Sequence, residues 1–443
     1  MTSLAGAGPF AGMSITELAG RLRTGQTTAR TLAESALASA DELNPSLNCF
    51  VTIDHEGALR AADQADRELA TGMDRGPLHG VPVGVKDMID TAGLRTTRGS
   101  RHFEQHVPTA DAAVVVSLRQ AGAVIVGKTH THEFAYGPTG DVAHTGPARN
   151  PHDPSRMTGG SSAGSGAAVA AGIVPAALGT DTGGSVRIPA ALCGIVGLRP
   201  TQGALDGTGV FPLSSTLDTV GPMAASVADT ALLWAALTGH PVSIPPLAGL
   251  RVGVLRPEQV VNTQEAALDQ AVTALTDAGF ALGDVAVPEL IEFALAYPRV
   301  QSPEVYAVHA DRVAHAPELF QPELLDRMSR SAEVRGWEYV AALDFRARQR
   351  AGFPERLGVD LLMLPTVPIQ APPVGARDTE LGAGWTNPIA ALLSLTSPWS
   401  MLGVPAISVP VGADPLPASV QLVGRPGGED QLLAAAAVLS ARV

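Results

Sequence analysis

The stretch that decides the fold is residues 158–200, TGGSSAGSGAAVAAGIVPAALGTDTGGSVRIPAALCGIVGLRP. It contains two Gly-Gly-Ser turns, at 159–161 and 183–185, and the residues between them predict a small-residue helix followed by a short strand. Two glycines before a serine let the backbone approach a ligand closely and direct successive N–H groups at it. Such a turn can bind a developing oxyanion, with the serine as nucleophile. Serines at this position are also common helix N-caps, so a single turn leaves both interpretations open.

Around this segment the chain alternates short apolar runs with helix-like stretches, a βαβ rhythm that predicts an α/β fold. Buried strands are predicted at 81–87, 123–129, 250–255, 281–287, 361–365 and 405–412. Residues 290–355 are poor in strand signals and predict helices that cover a sheet. Residues 14–75 also predict helices. We therefore expect one large domain, in which residues 1–75 form an N-terminal helical layer and residues 76–443 form the α/β part.

Composition narrows the class of protein. The 443 residues are 45% hydrophobic and only 16% charged, which excludes a disordered, collagen-like or coiled-coil chain. A protein that binds nucleic acid needs a basic surface, and the net charge of −13 argues against one here. Cys49 and Cys193 are too few for a disulfide framework or a zinc site. The uncharged stretches 157–180 and 381–413 are interrupted by Gly and Pro, and no secretory signal is visible, so we expect a cytoplasmic protein without a membrane span.

Lysine is the rarest charged residue of this chain. Of 30 basic side chains, 28 are Arg and two are Lys, namely Lys86 and Lys128. An Arg stays protonated in proteins, whereas a buried Lys can lose its proton. Both lysines are therefore candidates for chemistry. Lys86 lies at the end of the apolar strand 81–85. Lys128 lies near the end of another strand, and we expect it to stabilise a turn there.

Three other sites can be read from local motifs. Gly-Ser-Ser-Ala-Gly matches the G-x-S-x-G motif of the esterase nucleophile elbow, which would make Ser162 the nucleophile. That elbow is a sharp turn directly after a strand, and residues 150–158 do not predict a strand. His130 and His132 follow a strand and could bind a metal, as in metal-dependent amidohydrolases, although no second cluster has matching spacing. Residues 127–129 resemble the end of a phosphate-binding loop that lacks its first Gly.

Six segments of the chain resemble, in the same order, those of the amidase signature hydrolases. They include HGVPVGVKDMIDTAGLRTTRGS (79–100), VIVGKTHTHEFAYG (124–137) and GTDTGGSVRIPAALCGIVGLRPT (179–201), together with 148–165, 217–229 and 403–412. The family includes fatty acid amide hydrolase, bacterial amidases and the A subunit of the tRNA-dependent glutamine amidotransferase. The resemblance implies a single large α/β domain with a mixed β-sheet covered by helices on both faces.

The resemblance also implies a Ser–Ser–Lys triad. In it, Ser185 corresponds to the nucleophile, Ser161 to a bridging serine that follows a cis peptide bond, and Lys86 to the base. An ordinary Lys titrates near pH 10.4 and is cationic at neutral pH, but burial disfavours the charge. Bringing its pKa to about 7 would take about 4 kcal/mol of differential solvation. Neutral Lys86 could then take a proton from Ser161, whose hydroxyl both donates and accepts.

The same resemblance implies an oxyanion hole in the second Gly-Gly-Ser turn. Its donors would be the backbone N–H groups of Thr182, Gly183, Gly184 and the nucleophile itself. Asp181 and Arg187 flank this turn, and two roles are open for them: an ion pair that braces the loop, or direct contact with substrate.

The resulting expectation is an amidase that hydrolyses a small carboxamide or an aryl or alkyl amide through an acyl-enzyme, without metal or cofactor. Its partner would be a small-molecule amide, and a homodimer is left open. His132, Phe134 and Tyr136 are candidates to line the substrate pocket, and ordinary loop roles are equally open for them. The alternatives are a metal-dependent amidohydrolase and the A subunit of the amidotransferase. Members of the latter group tend to carry Gln where this chain has Ile188 and Thr219, which favours the stand-alone amidase.

Overall fold

The computed structural model describes residues 3–247, 249–413 and 415–443. The strands in these ranges are β1 (Phe50–Ile53), β2 (Pro82–Lys86), β3 (Val124–Thr129), β4 (Ala176–Thr180), β5 (Val196–Arg199), β6 (Val220–Ala224), β7 (Arg251–Leu255), β8 (Ala281–Val285), β9 (Leu361–Pro365), β10 (Ala406–Ala413) and β11 (Pro417–Val423). The α-helices are α1 (Ile15–Arg23), α2 (Ala29–Leu47), α3 (His55–Ala70), α4 (Ala113–Gln120), α5 (Ala163–Ala170), α6 (Arg187–Cys193), α7 (Val227–Thr238), α8 (Asn262–Asp277), α9 (Leu290–His315), α10 (Pro322–Ser331), α11 (Gly336–Leu357), α12 (Pro388–Ser394), α13 (Ser397–Leu402) and α14 (Glu429–Ser440).

All eleven strands of the described residues form one mixed sheet. Its order is β1-β3-β2-β4-β6-β5-β10-β11-β9-β7-β8. β2 runs parallel to β3 and β4, β7 runs parallel to β8 and β9, and the other neighbours are antiparallel. Every residue of β2, β3 and β4 is buried, as expected where helices cover both faces of a sheet. The single α/β domain with a mixed sheet is therefore confirmed.

The predicted strands correspond to β2, β3, β7, β8, β9 and β10, and the helix and strand predicted between the two Gly-Gly-Ser turns correspond to α5 and β4. Residues 290–355 are helical as predicted. β1 contradicts the prediction of helices throughout 14–75, because Phe50–Ile53 pair with β3 at the edge of the sheet. β5, β6 and β11 were not predicted. β6 reads VGPMA, whose Gly and Pro disfavour a strand locally, but pairing with both β4 and β5 outweighs that preference.

Two features of the central strands bring Lys86 and the first Gly-Gly-Ser turn together. Because β2 and β4 are parallel neighbours, their carboxyl ends meet at one edge of the sheet, which places Lys86 next to Thr180. α5 packs closely beside them, since a Cβ on Gly164 would lie 2.1 Å from the carbonyl oxygen of Cys49 and 2.2 Å from the amide nitrogen of His130. The small residues of α5 therefore permit a close approach of its N-terminus to the end of β2. Across the described ranges, no helix is both long enough and apolar enough to cross a membrane.

Candidate active site

The buried amine of Lys86 lies between two hydroxyl groups. Its Nζ is 2.7 Å from Ser161 Oγ and 2.7 Å from Thr180 Oγ1. The Lys86 side chain is fully buried at the end of β2. Lys86 and Ser161, 75 residues apart in sequence, are thus in direct contact.

Burial changes the proton affinity of this amine. It lowers the pKa of Lys86 to about 7, although the carboxylates of Asp181 and Asp218 act in the opposite direction. A large fraction of the amine is therefore neutral near pH 7. A neutral amine has a lone pair and can accept a proton from a hydroxyl in contact with it.

The two Gly-Gly-Ser turns lie side by side. The Gly160–Ser161 peptide bond is cis, and the N–H of the next residue, Ser162, donates to the carbonyl oxygen of Ser185 at 3.1 Å. Ser161 is fully buried, whereas Ser185 keeps 7% of its surface exposed. Ser185 is therefore the less buried of the two serines.

The second turn presents unpaired backbone donors. Among the described residues, the N–H groups of residues 182–185 have no acceptor. A Cβ on Gly183 would lie 2.2 Å from Tyr297 Oη, and one on Gly184, whose φ is +140°, would lie 2.3 Å from Thr396 Oγ1. Only glycine fits at both positions, and the free N–H groups are suited to bind a negatively charged oxygen.

A buried ion-pair cluster braces this turn. Arg187 Nε and Arg199 Nη1 each lie 3.0 Å from a carboxylate oxygen of Asp181, and all three side chains are fully buried. Burial by itself raises the pKa of Asp181, but the two guanidinium groups hold it well below its usual range. Asp181 also accepts the N–H of Val186 at 3.2 Å, which ties the cluster to the residue after Ser185. The predicted ion pair of Asp181 and Arg187 is confirmed, and its burial disfavours direct substrate contact.

The other lysine, Lys128, is bound by the chain that follows β2. Lys128 Nζ donates to the carbonyl oxygen of Ile89 and, at 2.9 Å, to Thr91 Oγ1. Burial lowers the pKa of Lys128 to about 8. The expectation that Lys128 holds a turn is confirmed.

The two alternative sites lack the geometry they need. Ser162 begins α5 without a preceding strand, and its Oγ is occupied by the backbone N–H and carbonyl of Thr180, each at 3.2 Å. His130 Nε2 lies 2.8 Å from the carbonyl oxygen of Gly146, and His132 Nδ1 lies 3.4 Å from Thr139 Oγ1. Within the ranges that the structure describes, no three His, Cys, Asp or Glu side chains are grouped to hold a metal.

Two cavities lie near the Ser185 turn, one lined by Thr182 of the turn itself and the other by Tyr297, which packs against Gly183. The first cavity has a volume of about 320 Å³, and its wall includes Thr180, Thr182, Phe211, Leu213 and Asp218. The second cavity has a volume of about 450 Å³, and its wall includes Tyr136, Tyr297, Gln301, Arg327, Trp385 and Ser397. Of the three candidate lining residues, Tyr136 lies in the second wall, whereas His132 and Phe134 are buried and belong to neither wall.

Sequence reasoning missed several residues at the site. Thr180 could have been found, because it ends the strand parallel to the one that carries Lys86. Asp218 accepts the Thr182 hydroxyl at 2.5 Å across 36 residues of sequence. Tyr297 lies in α9, in the region of weakest family resemblance, and no local signal relates it to Gly183.

Comparisons with known proteins agree with this geometry. The sequence model of the Amidase family matches residues 31–433. The A subunit of the glutamyl-tRNA(Gln) amidotransferase of Chloroflexus aurantiacus is 36% identical, over 95% of this chain and 94% of its own length. The AtzE subunit of the 1-carboxybiuret hydrolase of Pseudomonas sp. strain ADP is 35% identical, over 96% of this chain and 98% of its own length. A crystal structure of an amidase superposes with a TM-score of 0.91 at 35% identity, covering 97% of this chain and all of that one.

Proposed function

The chain belongs to the amidase signature family of hydrolases, which act on amide C–N bonds, and from this premise we propose that it hydrolyses a small carboxamide or an aryl or alkyl amide. Ser185 is the nucleophile, Ser161 the proton relay and Lys86 the base. The observation that carries the proposal is the fully buried Lys86 amine, with its pKa lowered to about 7 and its Nζ 2.7 Å from Ser161 Oγ.

Acylation begins with the neutral amine. As Ser185 Oγ attacks the amide carbon, its proton passes to Ser161 Oγ, and the proton of Ser161 passes to Lys86 Nζ. The new C–O bond moves the carbonyl electron pair onto oxygen. The N–H groups of Thr182, Gly183, Gly184 and Ser185 donate to that oxyanion, and their lack of protein acceptors among the described residues supports this role.

The same relay then runs in reverse. Lys86 returns a proton through Ser161 to the amide nitrogen, the C–N bond breaks, and ammonia or an amine leaves. A water molecule attacks the Ser185 ester while the relay removes one of its protons. The relay then gives that proton to Ser185 Oγ as the ester C–O bond breaks, and the acid product leaves as a carboxylate, with its own proton released to solvent. In each half-reaction the proton that Lys86 takes up is given back within that half-reaction, to the leaving amine in the first and to Ser185 Oγ in the second, so the proposed cycle needs neither a metal nor a cofactor.

The test is a screen of aliphatic, aryl and ureido amides for released ammonia or amine. Ureido amides belong in the panel because one relative is part of a 1-carboxybiuret hydrolase. We expect turnover that is abolished by Ser185→Ala and by Lys86→Ala, and a Ser185 adduct detectable by mass spectrometry after rapid quenching.

The matched control is Lys128→Met, which removes an equally buried lysine that contacts neither serine. After correction for the folded fraction, this variant should keep its turnover. Wild-type rates in Ser185→Ala or Lys86→Ala would refute the proposal.

A second candidate is the glutaminase component of a tRNA-dependent amidotransferase. The 36% identity to the C. aurantiacus protein over 95% of this chain favours it, whereas Ile188 and Thr219 depart from the residues usual in that group. Release of ammonia from glutamine that appears only when the other amidotransferase components are added would support this candidate. Turnover of simple amides by the isolated chain would support the amidase.

A further inference from the structure

Two residues of the loop 213–219, which precedes β6, hold Thr182 at the start of the turn that carries the proposed nucleophile. The Thr182 hydroxyl donates to Asp218 Oδ1 at 2.5 Å. The N–H of Thr219 donates to the carbonyl oxygen of Asp181 at 3.2 Å. Because the C=O and N–H of a trans peptide point in opposite directions, a fixed Asp181 carbonyl also fixes the direction of the Thr182 N–H. The loop therefore holds Thr182 through both its side chain and its peptide group.

Both oxygens of the Asp218 carboxylate are engaged by donors of the chain itself. Its Oδ2 accepts the N–H groups of Leu213 at 2.8 Å and Ser214 at 2.9 Å, which leaves Oδ1 to the Thr182 hydroxyl. Burial raises the pKa of Asp218, and these three donors counteract that shift because they stabilise the charged form. Asp218 lines the first cavity, but its engaged oxygens favour a contact with the turn over a contact with substrate.

The loop that carries Asp218 is anchored in turn to the helical layer. Glu304 of α9 accepts the Ser214 hydroxyl at 2.6 Å and the N–H of Thr216 at 3.1 Å. Tyr339 of α11 donates to the same carboxylate at 3.0 Å. The position of the Asp218 carboxylate is therefore set by two helices as well as by its own loop.

We propose that Asp218 is a positioning residue of the amidase reaction, which directs the Thr182 N–H at the oxyanion by accepting the Thr182 hydroxyl. This inference rests on the proposed function and adds to it a residue that acts through another. Valine has the shape of threonine without the hydroxyl, and at position 182 it would leave Asp218 Oδ1 without a donor among the described residues. The hydroxyl should matter where the oxyanion forms, in the transition state, and not in substrate binding.

The first experiment removes the hydroxyl and keeps the shape of the side chain. On the best substrate of the amide screen, Thr182→Val should lower kcat by about 10-fold to 100-fold, the range for a hydrogen bond to a charged group, with little change in KM. Thr182→Ser keeps the hydroxyl and should restore most of kcat. The matched control is Thr230→Val, which removes a buried hydroxyl of α7 and should keep kcat. A wild-type kcat in Thr182→Val would overturn the inference.

A double-mutant cycle tests whether the hydroxyl acts through Asp218. Asp218→Asn keeps the shape of the side chain but removes the charged acceptor. After correction for the folded fraction, Thr182→Val should lower kcat by a smaller factor in this background than in the wild type. Equal factors would overturn the inference, because the two residues would then act independently. Asp229→Asn is the matched control, since Asp229 is a buried carboxylate of α7 that also accepts a backbone N–H and a hydroxyl, and it should leave the factor unchanged.

An electrophilic ketone reports on the oxyanion directly. The probe is 1,1,1-trifluorohexan-2-one, to whose carbonyl carbon Ser185 Oγ adds. The new C–O bond moves the carbonyl electron pair onto oxygen, and the serine proton passes through Ser161 to Lys86. Since the adduct resembles the tetrahedral intermediate, Thr182→Val should weaken its binding by about the factor lost from kcat.

This probe also separates the inference from the proposed function. Equal binding of the trifluoroketone by the wild type and Thr182→Val, with hydrolysis still dependent on Ser185, would overturn the positioning role and leave the amidase proposal intact. Trifluoroketone binding that Ser185→Ala does not weaken would overturn the proposed function instead.

Discussion

The pH dependence of turnover tests the proposed role of Lys86 as the base directly. Only the neutral amine can act as the base, so kcat/KM should fall as the pH drops through the pKa of Lys86 in the free enzyme. Burial lowers that pKa to about 7. At pH 7 about half of the amine is then neutral, compared with about 1 in 3,000 for a lysine of ordinary pKa. The base is available at neutral pH only because of this shift.

The expected profile is a single acidic limb. Below pH 7 the value of kcat/KM should fall about tenfold for each pH step, reaching about 1% of the plateau at pH 5, and it should be level above about pH 8. The assay is ammonia release from a primary amide, measured in quenched samples between pH 5 and pH 9 at constant ionic strength. A rate that still rises about tenfold per pH step between pH 8 and pH 9, or a rate independent of pH across the range, would refute the argument.

Variants can distinguish the titration of Lys86 from that of other buried groups. Burial raises the pKa of Glu133 to about 7 and lowers that of Lys128 to about 8. The limb should therefore persist in Glu133→Gln and in Lys128→Met, and its displacement in either variant would assign it elsewhere. Burial lowers the pKa of three histidines so far that they stay neutral on both sides of the limb, namely His130 (about 4), His132 (about 3) and His309 (about 3).

Three further predictions concern stability and the turn. The pKa of Lys86 in the folded chain lies below its unfolded value of 10.5, so the unfolded chain binds more protons between pH 7 and pH 10.5, and the free energy of unfolding rises with pH there. Urea unfolding of the wild type should therefore show a gain of about 3 to 4 kcal/mol from pH 7 to pH 10 relative to Lys86→Met. A difference between the two proteins that stays constant with pH would contradict this. Asp181→Asn leaves two buried guanidinium groups without their counter-ion and should lower the free energy of unfolding by about 3–5 kcal/mol, whereas a loss below about 1 kcal/mol would show that the ion pair contributes little. Gly183→Ala should reduce kcat by about 100-fold or more because its Cβ displaces the N–H donors. Adding Tyr297→Ala should recover part of the rate because it removes both crowding atoms, Oη at 2.2 Å and Cζ at 2.6 Å, and no recovery would mean that the clash is not the cause.

The sequence predicted the parts of the fold whose local patterns are strong. The apolar runs that became β2, β3, β7, β8, β9 and β10 are short and bounded by Gly or Pro, and most of them are buried. β1 and β6 escaped prediction because their strand character comes from their neighbours. Phe50–Ile53 is only four residues long within a helical region, and Val220–Ala224 contains Gly and Pro yet pairs on both sides.

The residues of the candidate site also differ in whether the sequence alone could identify them. Lys86, Ser161 and Ser185 stand in motifs that resemble the family, so they could be selected from the sequence, and the parallel pairing of β2 and β4 explains how Lys86 and Ser161 meet. Tyr297 could not be selected, because it lies on α9, where its neighbours carry no motif. Its contact with Gly183 arises only when α9 packs against the turn, and long-range packing leaves no local trace in the sequence.

The burial of both lysines has a practical consequence for handling this protein. Since the chain contains only Lys86 and Lys128 and both are fully buried, its surface offers no ε-amine to succinimidyl esters, to glutaraldehyde or to amine-coupled sensor chips. The side chains that remain for immobilisation and crosslinking are therefore carboxylates and guanidinium groups. Conversely, an acylating reagent small enough to enter beside Thr180 meets an ε-amine that is half unprotonated at pH 7, so selective labelling would report on the proposed base itself.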